Sequence, residues 1–168
     1  METCHYLPNT NVDDVTEALA LCTDRIISKK YLYGGMGDGG GCHPRDNIAL
    51  SYLAQKLDLS YNWYDNIMKQ RENQTEWLAD LIIKHKGDKQ INILGKCFKP
   101  ETNITTGSPA ILLKNILEEK GETVRMWDPW IDNNDIMKVK DEYEWDKIPQ
   151  LFFIGCKHEA FKLFYFMP

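Results

Sequence analysis

The sequence predicts an α/β protein in which a helical first half is followed by a Rossmann-like parallel sheet. Three observations carry that expectation. Ile91-Asn92-Ile93-Leu94-Gly95, Thr123-Val124-Arg125-Met126-Trp127 and the segment from Gln150 to Ile154 are short, largely apolar runs of the kind found in buried strands. Between the first two lies one well-marked helix, with Ser108 as N-cap, Pro109 at the first helical position and Gly121 at the stop. A less regular, acidic connection from Ile131 to Lys147 then leads to the third run. Strand, helix, strand, connection, strand implies parallel strands joined by right-handed crossovers.

The first half reads as helices around a glycine loop. Asn11 to Leu21 places Val12, Val15, Leu19 and Leu21 behind a capping Asn11, with Asp13, Asp14 and Glu17 early, which predicts a short helix. From Lys29 to Pro44 the chain carries Gly34, Gly35, Gly37, Gly39, Gly40 and Gly41, too much glycine for a regular element and suited to tight turns or close backbone approach. Asp46 to Leu57 is expected to be helical, and after a break at Asp58-Leu59-Ser60 a second helix runs from Tyr61 to Lys86. Its Trp63, Ile67, Trp77, Leu78, Leu81 and Ile82 exceed what a solvated helix needs and point towards a partner subunit. The polar turn Lys86-Gly87-Asp88-Lys89 divides the chain into two expected domains, 1–87 and 88–168.

Composition narrows the function. At 168 residues with 43% hydrophobic content the chain can bury one core or two small ones, and a net charge of -5 argues against a surface that tracks nucleic-acid phosphates. No apolar run approaches the length of a bilayer span, and Met1-Glu2-Thr3-Cys4-His5 lacks a signal pattern, so a cytoplasmic protein with no membrane contact is expected. Five scattered cysteines, Cys4, Cys22, Cys42, Cys97 and Cys156, suggest free thiols in a reducing compartment. None has zinc-knuckle spacing, and Cys42-His43 and Cys156-Lys157-His158 do not assemble four ligands locally, so no metal is expected.

In an open parallel sheet, ligands sit outside the carboxyl ends of the strands, where the loop Lys96 to Gly107 belongs. That loop ends at a helix N-terminus and carries Lys99, which suits a pyrophosphate; an ordinary loop with a solvated lysine is the other reading. Gly35, Gly37 and Gly40 match the spacing G-x-G-x-x-G, but that motif needs a buried strand before it and a helix directly after. Here Ile26-Ile27-Ser28-Lys29-Lys30 precedes it and Cys42-His43-Pro44 interrupts the entry to the helix. Cys42, leaving the loop near His43 and Arg45, is the best candidate nucleophile, whereas Cys22, Cys97 and Cys156 sit in or beside apolar segments and suit buried, inert thiols. Asp46, four residues on, either steers a proton or water beside that sulfur or serves as a first-turn aspartate favoured by the helix dipole.

Taken together, Gly39-Gly40-Gly41-Cys42-His43-Pro44-Arg45-Asp46 resembles the active-site signature of the UDP-glucose/GDP-mannose (nucleotide-sugar 6-) dehydrogenase family. Ile93-Leu94-Gly95-Lys96-Cys97-Phe98-Lys99-Pro100, followed by Gly107-Ser108-Pro109-Ala110, resembles the opening of that family's C-terminal UDP-binding domain. Asp24-Arg25-Ile26, Trp127-Asp128-Pro129 and Ile154-Gly155-Cys156-Lys157-His158-Glu159-Ala160-Phe161 add to the likeness, which runs from about residue 9 to 165. The resemblance implies a double, NAD-dependent oxidation of a nucleotide-sugar C6 alcohol to a uronate through a thiohemiacetal and a thioester on cysteine.

Carried over by motif, Cys42 would be that nucleophile, Asp46 would assist proton transfer and water activation, and Lys99 would bind the nucleotide sugar, a UDP-sugar first. Arg25, Tyr31, Gly39, Gly40 and Ser108 complete the expected substrate-binding set, with Arg25 reaching a neighbouring subunit's site and the Tyr61 to Lys86 helix forming a homodimer. The family's NAD-binding domain has no counterpart among these residues, so NAD would be held mainly by a separate domain or partner and the chain alone is expected to be inactive. The alternative is a non-catalytic nucleotide-sugar-binding or dimerisation module. Two local departures stand out: Asp38 replaces the usual aromatic residue of the glycine loop, and Asn103-Ile104-Thr105-Thr106 lacks the arginine of the family pattern.

Overall fold

A computed structural model describes residues 2–23, 32, 34–37, 40–132 and 136–166. Arg25, Tyr31, Asp38, Gly39 and the run Ile26 to Lys30 lie outside the described residues. The chain divides into two compact units, residues 1–36 and 37–168.

The first unit holds α1 (Glu2–Tyr6) and α2 (Val12–Ala20). Asn11 caps α2 as expected: its side-chain oxygen accepts the Asp13 N–H at 2.7 Å, and Asp13 and Asp14 occupy the first turn, at the positive end of the helix dipole. The five-residue α1 carries no periodic signal that predicts it.

The second unit begins with two helices, α3 (Cys42–Lys56) and α4 (Trp63–Lys86), which pack on each other. α3 starts four residues earlier than Asp46, the position the apolar spacing indicates. Pro44 does not interrupt it, because the first four N–H groups of a helix have no intrahelical acceptor and a missing donor there costs little. One ground for rejecting the dinucleotide motif is therefore overturned, since a helix does follow Gly41 directly; the preceding strand would fall on residues 26–30, outside those described. Asn62 caps α4, accepting from the Asp65 N–H and donating to Ser51 Oγ of α3 at 2.8 Å.

Part of the apolar excess of α4 is consumed within the chain. Thr75, Ala79 and Ile82 are buried, and the helix packs on α5 (Pro109–Glu119), which buries Leu113 and Leu117 completely. Ion pairs Lys120–Asp80 at 2.8 Å and Lys86–Glu122 at 2.6 Å border that seam. Trp63, at the start of α4, stays exposed, as do Ile48 and Tyr52 of α3.

The strands β1 (Gln90–Leu94), β2 (Val124–Trp127) and β3 (Gln150–Ile154) form one parallel sheet in the order β2-β1-β3. The register pairs Ile91 with Val124 and with Leu151. α5 leaves Ser108, whose hydroxyl accepts the Ile111 N–H, and ends before Gly121 at φ +87, so the cap, proline and stop all act where the sequence indicates.

Asn92 is the polar exception in β1. It is buried and fully engaged, donating to Gln150 Oε1 at 2.7 Å and to the Gln90 carbonyl, and accepting from Trp145 Nε1 at 3.2 Å, so it joins β1 to the β3 side of the sheet. The connection read as irregular contains α6 (Ile136–Glu142), and a 3-10 helix (Glu159–Phe166) follows β3. Both are short, yet each supplies a buried side chain, Val139 and Phe161, to a cluster with Leu94 and Trp127. Tertiary packing rather than local periodicity holds them. The observed architecture is α/β and Rossmann-like, as the strand and helix pattern predicts.

Candidate functional site

All three strand carboxyl ends converge on one buried carboxylate. Asp128, directly after β2, is fully buried; its Oδ2 accepts the Lys96 N–H at 2.6 Å, the Cys97 N–H at 3.1 Å and His158 Nε2 at 3.1 Å, while Oδ1 accepts the Trp130 N–H at 2.8 Å. Lys96 and Cys97 follow β1, and His158 follows β3. Burial is the largest single influence and raises a carboxyl pKa, but the backbone donors of Lys96 and Trp130 together with Cys97 and His158 outweigh it and hold Asp128 below the usual carboxylate range.

His158 extends the link. Its Nδ1 accepts the Glu101 N–H at 3.1 Å, which leaves the ring proton on Nε2, facing Asp128. Glu101 is held in the left-handed region at φ +57, and its carboxylate accepts the Glu159 N–H at 2.8 Å. Sequence reading did not assign functional roles to Asp128 and His158; the signals available were Trp127-Asp128-Pro129 and Cys156-Lys157-His158, both placed at strand ends.

Cys97, Asp128 and His158 offer three ligand atoms within 4.8 Å of one another, the spacing of a metal site. Their chemistry does not fit one. His158 Nε2 carries a proton, Asp128 Oδ2 is saturated with N–H donors, and the Cys97 thiol donates to the Thr102 carbonyl. Burial first, and then the Asp128 carboxylate, pushes that thiol up to about 12, so it holds its proton. Cys156 is likewise buried and pushed up to about 11, chiefly by desolvation. Both match the inert thiols the sequence suggests. Cys22 does not: it is exposed, and none of the described residues of its unit covers it.

The glycine loop meets the loop after β1 through bare backbone. A Cβ on Gly107, itself at φ +75, would lie 2.4 Å from the Gly40 carbonyl carbon and 2.5 Å from the Gly41 nitrogen. Gly40, buried at φ +80, lies against the Phe98 ring, and Gly41 against the Thr106 methyl. Only glycine on both sides permits that approach. Thr106 therefore touches the residue immediately before Cys42.

Cys42 is exposed at the first position of α3, with no side-chain cap ahead of it. Arg45 is close enough to interact electrostatically with the sulfur, and its Nε donates to Asp46 Oδ1 at 2.7 Å. That hydrogen bond, despite some desolvation, holds Asp46 below the usual carboxylate range and raises Arg45. Lys99 is exposed, with Nζ 5.3 Å from the centroid of the Phe98 ring, the ring that also abuts Gly40. Ser108 is buried with its hydroxyl turned to the helix it caps. Thus Gly40, Cys42, Lys99 and Ser108 are gathered on two touching loops, with Asp46 one turn into α3.

This arrangement has relatives. The sequence model of the UDP-glucose/GDP-mannose dehydrogenase family, central domain, matches residues 1–73. The GDP-mannose 6-dehydrogenase of Pseudomonas aeruginosa is 31% identical over 133 residues, 78% of this chain, so the likeness continues past the central domain and through β1, α5 and β2. The chain belongs to the UDP-glucose/GDP-mannose dehydrogenase family. The family's UDP-glucose 6-dehydrogenase from Rhizobium meliloti is 32% identical over 123 residues, 71% of this chain. This chain spans 30% and 28% of the length of these two relatives. Among solved structures, a UDP-glucose dehydrogenase from Pyrobaculum islandicum superposes with a TM-score of 0.67 at 21% identity, over 89% of this chain and 36% of that one. A GDP-mannose dehydrogenase from Pseudomonas aeruginosa gives 0.64 at 24%, over 95% and 41%. These likenesses establish the fold the chain shares with those dehydrogenases.

Proposed function

We propose that these residues carry the nucleotide-sugar side of a nucleotide-sugar 6-dehydrogenase. The loop from Lys96 to Ser108 holds the nucleotide, Lys99 supplies a full positive charge to its phosphates, and the sugar end reaches Cys42. The observation that carries this reading is the Gly107 to Gly40 and Gly41 contact, because it fixes the nucleotide loop beside the candidate sulfur without an intervening side chain. Arg25, Tyr31 and Gly39 belong to the same proposed substrate set.

The chemistry follows from those positions. NAD, when bound, accepts hydride from C6, and we assign its site mainly to residues other than these 168. The Cys42 sulfur would add to the C6 aldehyde left by the first oxidation, giving a thiohemiacetal; loss of a second hydride, for which a second NAD would be the acceptor, would leave a thioester, and water would displace the sulfur to release the carboxylate. Asp46, ionised because Arg45 holds it so, acts as the acceptor that orients the attacking water. The two domains in this reading are 1–87, with the cysteine loop, and 88–168, with the nucleotide loop. The relatives include enzymes named for UDP-glucose and for GDP-mannose, and a UDP-sugar is the first choice here.

A ligand that binds only the native state raises its stability by mass action, about 2.7 kcal/mol at a hundredfold excess over Kd. UDP-glucose, screened beside GDP- and ADP-sugars at millimolar concentration, is therefore expected to raise the melting temperature of this chain by several degrees. No shift with any of them would overturn the binding assignment.

The exposed Trp63, Ile48 and Tyr52 lie on the two helices of the proposed central domain, and we assign them to contact with a second copy of the chain. Ile48→Asp combined with Tyr52→Asp is expected to halve the mass read by light scattering; an unchanged mass would remove α3 from that interface.

A further inference from the structure

We infer that His158 and Asp128 are positioning residues for the Lys99 segment, and that His158 does this work only as the neutral Nε2–H tautomer. The inference rests on the proposed nucleotide site and deepens it. Both are fully buried, and the inference gives neither of them a contact with the ligand.

The segment bearing Phe98 and Lys99 is held at each end by one of the pair. At its start, the Lys96 and Cys97 N–H groups donate to Asp128 Oδ2; at its end, the Glu101 N–H donates to His158 Nδ1. The pair is itself joined by the Nε2–H to Asp128 bond. Three backbone donors within six residues thus find their acceptors on two buried side chains from the segments after β2 and β3, and Lys99 projects from the stretch between them. Glu101 needs such help, because a non-glycine residue at φ +57 is disfavoured by its own Cβ.

Protonation of His158 removes the acceptor. An imidazolium donates from both nitrogens, so Nδ1 would face the Glu101 N–H donor to donor. The Glu101 carboxylate, with Oε1 3.6 Å from Nδ1, is the nearest group able to take the new proton, but it already accepts the Glu159 N–H. Turning to the ring would loosen both the Glu101 turn and the start of the 3-10 helix. Among the described residues, the charged and titratable groups around His158 are Asp128 after β2, Glu101 and Cys97 after β1, and its chain neighbours Cys156, Lys157 and Glu159; the Phe161 ring packs edge-on at 5.5 Å. Acid is therefore expected to weaken ligand binding at Lys99 through a group remote from the ligand.

The test combines two readouts on the full chain. Nitrogen-15 NMR of the His158 ring is expected to show the Nε2–H tautomer at pH 8, and the Glu101 amide to lose its hydrogen-bonded shift and exchange protection as His158 titrates. UDP-glucose affinity by calorimetry is expected to fall tenfold or more across the same titration. His158→Asn, which offers an acceptor in place of Nδ1, should keep binding near the high-pH value and flatten the profile; Lys99→Ala should weaken binding at every pH and leave the ring tautomer unchanged. An Nδ1–H tautomer, or a Glu101 amide indifferent to His158 titration, overturns the inference even if His158→Asn fails to fold. Absence of UDP-glucose binding with the NMR coupling intact would count against the nucleotide site, and the hold of His158 and Asp128 on the Lys99 segment would stand as a feature of the loop alone. A pH profile that His158→Asn leaves sloped would overturn the link to binding.

Discussion

Asp128→Ala is expected to destabilise the 37–168 unit by about 4 kcal/mol or more. The carboxylate accepts from three backbone N–H groups and one ring N–H, and all four would be left buried without an acceptor at about 1–3 kcal/mol each before relaxation. Urea denaturation at pH 7 measures the loss, and a change below about 1 kcal/mol would show that water replaces the carboxylate at little cost. The pH dependence has a definite sign. Because the folded-state pKa of Asp128 is lowered, its contribution is fully present above the unfolded value near 3.9 and drains away as pH falls through the folded value. The gap between wild type and Asp128→Ala should therefore narrow below pH 4 and stay constant from 5 to 8 as far as this carboxyl is concerned.

Cys42→Ala is expected to have the largest effect on activity. In an enzyme that includes an NAD-binding domain, losing the sulfur removes both covalent intermediates, and uronate formation should fall by at least about a thousandfold. Binding of the nucleotide sugar should change little, because Lys99 and the loop after β1 are untouched. Uronate measured by chromatography, beside calorimetric binding, separates the two. Uronate formed at more than a tenth of the wild-type rate would end the nucleophile assignment, and a lost affinity would mean that Cys42 shapes the pocket instead. Cys97 and Cys156 provide the internal contrast: both are buried with raised thiol pKa values, so alkylation at neutral pH should mark the exposed Cys42 well before either.

Most of the sheet domain was legible because its signals are local. Ser108 and Pro109 mark the start of α5, Gly121 lies just beyond its C-cap Lys120, and the apolar runs locate all three strands. The start of α3 is not marked in this way, since Pro44 breaks the apolar spacing as a barrier would, whereas in a first turn it is harmless. α6 and the closing 3-10 helix escaped for a different reason: Val139 and Phe161 gain their burial from Leu94 and Trp127, residues far away in sequence. At the site, the cysteine and lysine motifs announced themselves as short strings. Asp128 and His158 did not, because their importance lies in donors contributed by two other segments and no spacing along the chain encodes it.

The contact of Gly107 with Gly40 and Gly41 also bears on the order in which the chain acquires its structure. It closes a loop of roughly seventy residues, at an entropic cost of about 4 kcal/mol, and offers no side-chain burial at the glycines themselves in return. α3 with α4, and β1 with α5 and β2, each form from neighbours in sequence. The docking of one glycine turn on the other is then a late event in folding, contingent on both halves already being built. A chain caught part-way would carry Cys42 without the backbone contact that sets its loop against the loop after β1.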